Sequence, residues 1–98
     1  MSELNSDLPF DWDFIDESRE RFFTTELHNE LCSTHLLYQR SVIAITDKDG
    51  SDDVLFKCTD GPELFEVHLT WKKETRPEWP RTKMHKDMHA FLESCDEI

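Results

Sequence analysis

Apolar and polar residues alternate over residues 64–71 more regularly than elsewhere in the chain. Successive side chains of a β-strand point to opposite faces, so the alternation predicts a half-buried strand with one face in the core and one in water. His68 is expected on the polar face, where a hydrogen bond to Thr70 or to a neighbouring strand is its plainest role. The predicted core residues are Phe65, Val67, Leu69 and Trp71, and the outward ones are Glu66, His68 and Thr70.

A helical period marks two other segments. Apolar residues recur every four positions before Cys32, which predicts an amphipathic helix ending at about that residue. Its expected N-cap is Asp16 or Ser18, and its apolar stripe consists of Phe23, Leu27 and Leu31. A second helix is predicted from Thr82, its cap, to about Glu93. The apolar stripe of this helix would comprise Met84, Met88 and Phe91 or Leu92.

Two runs rich in β-branched and apolar residues predict further strands at residues 41–45 and 53–57. Short turns join the predicted strands, and such connections favour an antiparallel meander. Residues 72–81 contain Pro77 and Pro80 and are not expected to form regular helix. The predicted fold is therefore α+β in the order α-β-β-β-α, with a three-stranded antiparallel meander and two helices packed on one face.

One α+β domain is expected over residues 16–95, preceded by an acidic, aromatic-containing N-terminal arm over residues 1–15. Aromatic and acidic residues alternate in the arm over residues 10–14. This segment is either a short edge strand or an extended arm whose rings pack on the domain. An exposed acidic-aromatic interaction segment is the other interpretation.

The charge of the chain limits its partners. It carries 22 acidic against 11 basic residues, a net charge of −11, which repels nucleic acid and anionic lipid and favours basic protein partners. The basic residues concentrate in residues 72–86, where six of them stand against two acids. Trp79 lies between two prolines in this stretch, and it is either a lid on the core or an interface anchor.

Three cysteines with no CxxC spacing argue against a disulfide scaffold and favour a reducing, cytoplasmic location. The N-terminal residues show neither the basic nor the apolar run of a signal peptide, and no stretch is apolar enough to span a membrane. We therefore expect a cytoplasmic protein with no membrane association.

Motifs of catalysis and metal binding are weak or missing. The acids around Gly50 resemble a calcium loop, but Ile45 and Phe56 occupy its first and twelfth ligand positions, so no calcium site is expected. His85 and His89 are four residues apart on the predicted second helix and could share an ion only with a third ligand from elsewhere. No P-loop, GxGxxG or GxSxG motif is present. We assign no catalytic residue, metal ligand or cofactor.

The segments Asp52–Phe56 (DDVLF) and Val67–Trp71 (VHLTW) resemble strands of a group of small bacterial proteins of about this length. The resemblance covers about residues 20–93 and includes a proline-containing loop before the last helix. Leu36 and Glu66 depart from the pattern, since that group has a proline and an aliphatic residue there. The group has no assigned activity, so the resemblance implies a bacterial, cytosolic α+β domain and no catalysis.

Three hypotheses for function follow. The first is a non-catalytic acidic protein-binding module, an inhibitor or immunity-type partner of a basic protein. Its acidic surface would comprise Asp47, Asp49, Asp52, Asp53 and Asp60, extended by Asp11, Asp13, Asp16 and Glu17, with His68, Trp79 and His35 as further interface candidates. The alternative is a small metal-binding protein or enzyme that uses His68 with His35, His85, His89 or Cys32. The third is self-association through the polar sheet face, with the oligomeric state left open.

Overall fold

The computed structural model describes residues 12–95, which form an antiparallel sheet with one helix against each face. The strands are hydrogen-bonded in sequence order, β1 to β5. Helix α1 lies between β1 and β2, and helix α2 follows β5. The bounds are β1 Trp12–Phe14, α1 Glu17–Glu30, β2 Val42–Lys48, β3 Asp53–Cys58, β4 Leu64–His68, β5 Arg81–His85 and α2 Met88–Cys95.

Helix α1 begins and packs as its sequence predicts. Asp16 is the N-cap, and its carboxylate accepts the backbone N–H of Arg19 at 2.9 Å. This hydrogen bond, followed by one from the Ser18 hydroxyl, lowers the pKa of Asp16 below its ordinary value. The predicted stripe of Phe23, Leu27 and Leu31 is buried. The helix ends at Glu30, two residues before the predicted end.

The predicted meander is confirmed as strands β2, β3 and β4, but it is only part of the sheet. Gly50 makes the β2–β3 turn in the left-handed region, with φ of 73°. In the next pair, Val54 lies opposite Val67 and Phe56 opposite Phe65. Strand β1 pairs with β2, and β5 pairs with β4. The sheet therefore has five strands, and the prediction of three is wrong because it omits the strand at each edge.

The two helices lie on opposite faces of the sheet, not on one face as predicted. Strand β3 is apolar at consecutive positions, so it needs cover on both sides. Val54 and Phe56 belong to the cluster under α1, whereas Leu55 belongs to the cluster with Phe91 of α2. The α2 cluster contains Trp12, Leu55, Leu64 and Phe91, with Ile45, Met88, Leu92 and Cys95 at its margin.

The predicted second helix starts five residues too early, because its cap is Asp87 and not Thr82. Residues 81–85 form strand β5, in which Thr82 lies opposite Val67, so Thr82 is not a helix cap. Met84 is 58% exposed and does not belong to a helical stripe. The backbone N–H of Ala90 instead bonds the Asp87 carboxylate at 2.9 Å at the start of α2. Strand β5 covers the edge of β4, which would otherwise present unpaired backbone groups.

The N-terminal arm is described only in part, because residues 1–11, with Phe10 and Asp11, lie outside the described residues. Trp12–Phe14 form the edge strand β1, one of the predicted alternatives for this segment. Trp12 is buried and meets the ring of Phe91 edge-on at 5.1 Å between centroids. Residues 12–14 thus belong to the same sheet as the domain predicted to begin at residue 16.

Substituting Met84 distinguishes the strand from the predicted helix. We expect Met84→Thr to change the free energy of unfolding by less than about 0.5 kcal/mol, because Met84 is exposed on an edge strand. Phe91→Ala should cost about 3–5 kcal/mol, since Phe91 is fully buried. Urea unfolding measures both. A loss above about 2 kcal/mol for Met84→Thr would show that this side chain is in the core.

Candidate functional site

The side chain of Glu30 is fully buried and holds the loop that follows β4. Its Oε2 accepts the backbone N–H of Trp71 at 2.7 Å. Its Oε1 accepts the backbone N–H and the hydroxyl of Thr70 at 3.0 and 3.1 Å. The Glu30 carbonyl also accepts the N–H of Glu74 at 3.0 Å. A buried carboxylate needs such donors in place of water, so burial of Glu30 and the conformation of residues 70–74 depend on each other.

Trp71 is displayed at the surface and not packed in the core, which corrects the sequence prediction. The Glu30 carboxylate ends the alternation after Leu69, and Trp71 adopts φ of 61°, a strained conformation for a residue other than glycine. The side chain is 45% exposed. Its indole N–H donates to Asp52 at 3.0 Å, and its ring lies 5.9 Å from that of Phe22, which is 59% exposed. We call Phe22 and Trp71 the aromatic pair.

A cleft runs beside the ends of β4 and β5. It encloses about 520 Å³ and continues into a second space of about 550 Å³ that reaches Trp71. His68 and Trp79 line both spaces. The sequence candidates Asp52, Asp53, His68 and Trp79 therefore come together along this cleft. The first space is lined by Asp53, Glu66, His68, Trp79, Arg81, Thr82 and Lys83.

His68 is held in the cleft by a carboxylate of the neighbouring strand, which confirms one of its two predicted roles. Its Nδ1 lies 2.8 Å from Oδ1 of Asp53, and the Ser51 hydroxyl donates to Oδ2 of Asp53 at 2.8 Å. Thr70 is not its partner, because Thr70 binds Glu30. Within residues 12–95, Nε2 of His68 makes no hydrogen bond. This arrangement fixes the imidazole while leaving one ring nitrogen for a ligand.

Trp79 stands at the cleft wall and is 37% exposed, so it does not serve as a buried lid on the core. Buried His35 supports the next residue: its Nε2 lies 3.0 Å from the carbonyl of Pro80, and its Nδ1 accepts the N–H of Leu37 at 3.0 Å. A carbonyl only accepts and an amide N–H only donates, so His35 is the neutral tautomer with its proton on Nε2. His35 thus positions the loop that carries Trp79. Both of its ring nitrogens are engaged in hydrogen bonds within the protein.

The five aspartates of the predicted acidic surface do not form one continuous patch. Asp60 follows the far end of β3, about 17 Å along the strand from Asp53, and accepts the Cys58 thiol at 2.9 Å. That hydrogen bond lowers the pKa of Asp60 below its ordinary value. Asp47 is paired with Arg19 of α1. Asp49 and Asp52 are exposed at the β2–β3 turn, and the Asp52 carboxylate accepts the indole N–H of Trp71.

The histidines and Cys32 do not assemble into a metal site. His85 is buried on β5 with Nε2 3.1 Å from Glu66, whereas His89 lies on α2 beside Glu93, so the two do not share a helix face. Within residues 12–95, no three His, Cys, Asp or Glu side chains are placed to hold one ion. The hydrogen bond with Thr34 lowers the pKa of the Cys32 thiol, but within residues 12–95 no histidine side chain is hydrogen-bonded to it.

Comparison of the chain with protein-family models, curated proteins and solved structures finds no match. The resemblance to small bacterial proteins stays a prediction. Within residues 12–95, no helix is long and apolar enough to cross a bilayer.

The sequence analysis did not predict the role of Glu30, which holds the loop of residues 70–74 after β4. The available signal was the pair Glu26 and Glu30, four residues apart on α1, where the sequence predicts repulsion. In the structure Glu26 hydrogen-bonds to Glu30, and this bond, with burial and the nearby charge, raises the pKa of Glu26 from its ordinary 4.5 to about 7. Below about pH 7, a protonated Glu26 can therefore donate to Glu30, and this removes the repulsion.

Glu26 should make stability fall as pH rises. Because its pKa is higher in the folded state, its contribution is fully present below about pH 4.5 and lost as pH rises through about 7. We expect Glu26→Gln to remove this slope and to stabilise the protein at pH 8 by on the order of 1 kcal/mol, after allowance for solvent screening. Urea unfolding from pH 5 to 8 measures the slope.

The matched control is Glu78→Gln, which removes the same charge from an exposed loop position. It should keep the slope of the wild-type protein. An unchanged slope in Glu26→Gln would mean that the pKa of Glu26 is not raised in the folded state.

Proposed function

We propose that the chain is a non-catalytic, acidic protein-binding module that recognises a basic protein, as an inhibitor or immunity-type partner would. The observation that carries the proposal is the aromatic pair. Trp71 is held in a strained conformation by the buried Glu30 carboxylate, and the result is an exposed indole beside an exposed phenyl ring. A strained backbone conformation persists only where the surrounding buried groups enforce it. Such conformations cluster at functional positions.

The chemistry around the aromatic pair fits a basic partner. Large aromatic side chains supply much of the binding energy at protein interfaces, and a polar rim usually surrounds them. Here the Asp52 carboxylate lies at the indole N–H, and Asp49 is exposed in the same turn. An arginine or lysine of a partner could stack on the rings and pair with these acids. The net charge of −11 would speed its approach.

This proposal moves the binding surface from the five aspartates of the sequence prediction to a smaller area. Asp49 and Asp52 remain in it, Asp47 and Asp53 serve within the fold, and Asp60 lies at the other end of β3. The proposal includes a bacterial, cytoplasmic setting. Within residues 12–95, Cys32 and Cys58 form no disulfide, which supports the reducing compartment.

Affinity capture with the purified, tagged chain tests the proposal. We expect a basic protein from the source cells to bind the wild-type chain, and Phe22→Ser to reduce its capture at least about tenfold, as loss of an interface hot spot does. Binding should also weaken in about 1 M salt, where charges are screened beyond about 3 Å. Quantitative mass spectrometry of the captured proteins measures both effects.

Leu36→Ser is the matched control, because Leu36 is about as exposed as Phe22 but lies outside the aromatic pair. It should capture the partner as well as the wild-type chain does. Capture of no basic protein, or equal capture by Phe22→Ser and wild type, would contradict the proposed function.

A further inference from the structure

Two basic side chains in the cleft have no carboxylate partner. Arg81 and Lys83 of β5 line the first space of the cleft, and within residues 12–95 neither forms an ion pair. The other four arginines all have polar partners: Arg19 binds Asp47, Arg21 lies near Glu17, Arg40 bonds Cys58 and Arg76 lies near Glu78. Arg81 is thus the one arginine of residues 12–95 whose side chain has no polar partner.

The two carboxylates that line the same space, Asp53 and Glu66, already form hydrogen bonds. In the sheet register Arg81 lies beside His68, and Lys83 lies beside Glu66. Both oxygens of Asp53 are occupied, by His68 and Ser51. Glu66 bonds buried His85 at 3.1 Å. The cleft therefore has two hydrogen-bonded carboxylates and two uncommitted cations along one strand.

We propose that the cleft binds a small phosphate monoester carried on a flat aromatic group, the chemistry shared by aryl phosphates and nucleoside monophosphates. Arg81 and Lys83 hold the phosphate, since guanidinium and ammonium groups are its usual partners in proteins. The half-exposed indole of Trp79 stacks on the aromatic group from the cleft wall. His35 fixes this wall through the carbonyl of Pro80.

Size and charge restrict the ligand to a small molecule. The first space, about 520 Å³, lies within the usual range for small-molecule sites. Polyanions would meet the field of a chain with net charge −11, and that repulsion grows with ligand charge. A single phosphate group can pair with Arg81 and Lys83 while the aromatic group attached to it stacks on Trp79.

Calorimetric titration of the full chain with adenosine monophosphate tests the inference. We expect saturable binding, with adenosine alone and inorganic phosphate each binding at least about tenfold more weakly, since each makes only half of the contacts. The double variant Arg81→Gln, Lys83→Gln should lose at least about tenfold in affinity. Trp79→Leu should bring the affinity for adenosine monophosphate close to that for inorganic phosphate.

The control Lys73→Gln, Lys86→Gln changes the net charge equally and should bind as the wild type does, because both lysines are exposed and line neither space of the cleft. Equal losses in the two double variants would indicate non-specific attraction and overturn the inference. So would equal binding of adenosine and its monophosphate, or no binding of either. Circular dichroism confirms that each variant is folded. Phe22→Ser should not change this binding, so failure here is distinguishable from failure of the proposed function.

Discussion

The buried carboxylate of Glu30 is the interaction on which the surface of this protein depends. It stands at the end of α1, yet its partners are the backbone groups of Thr70 and Trp71, about 40 residues later in the chain. A carboxylate taken out of water is tolerated only where donors replace the lost hydration. The loop after β4 must therefore close over the helix end, and that closure turns Trp71 outward. The raised pKa of Glu26 means that, below about pH 7, this carboxyl group is neutral and does not repel Glu30.

The double cover of β3 explains the arrangement of the rest of the fold. Consecutive apolar residues on this strand require α1 on one face and α2 on the other. The short helix α2 covers only the Leu55 and Leu64 part of its face. Farther along the same strands, Asp53, Glu66 and His68 remain uncovered and form the floor of the cleft, with β5 and Trp79 as its side. The cleft is thus the part of the sheet that a helix of eight residues leaves open.

Local features of the fold were predictable from the sequence, and long-range ones were not. The cap at Asp16, the stripe of α1 and the meander all depend on residues close together in the chain. Strand β5 was missed because Met84, Met88 and Phe91 imitate a helical stripe, and only pairing with β4 reveals the strand. Trp71 was misplaced because its conformation is set by Glu30, which no local pattern connects to it. The sequence did single out Asp53, His68 and Trp79, but their meeting in one cleft required the register of β3, β4 and β5.

Hydrogen exchange at the backbone amides of Thr70 and Trp71, measured by NMR, tests the central claim most directly. If Glu30 holds both amides, they should exchange about as slowly as those of β4 in the wild-type protein. In Glu30→Ala, where both acceptor oxygens are lost, both should exchange at least about tenfold faster, while β3 stays protected. Exchange of the Trp71 amide at the rate of an unprotected loop in the wild-type protein would contradict the account.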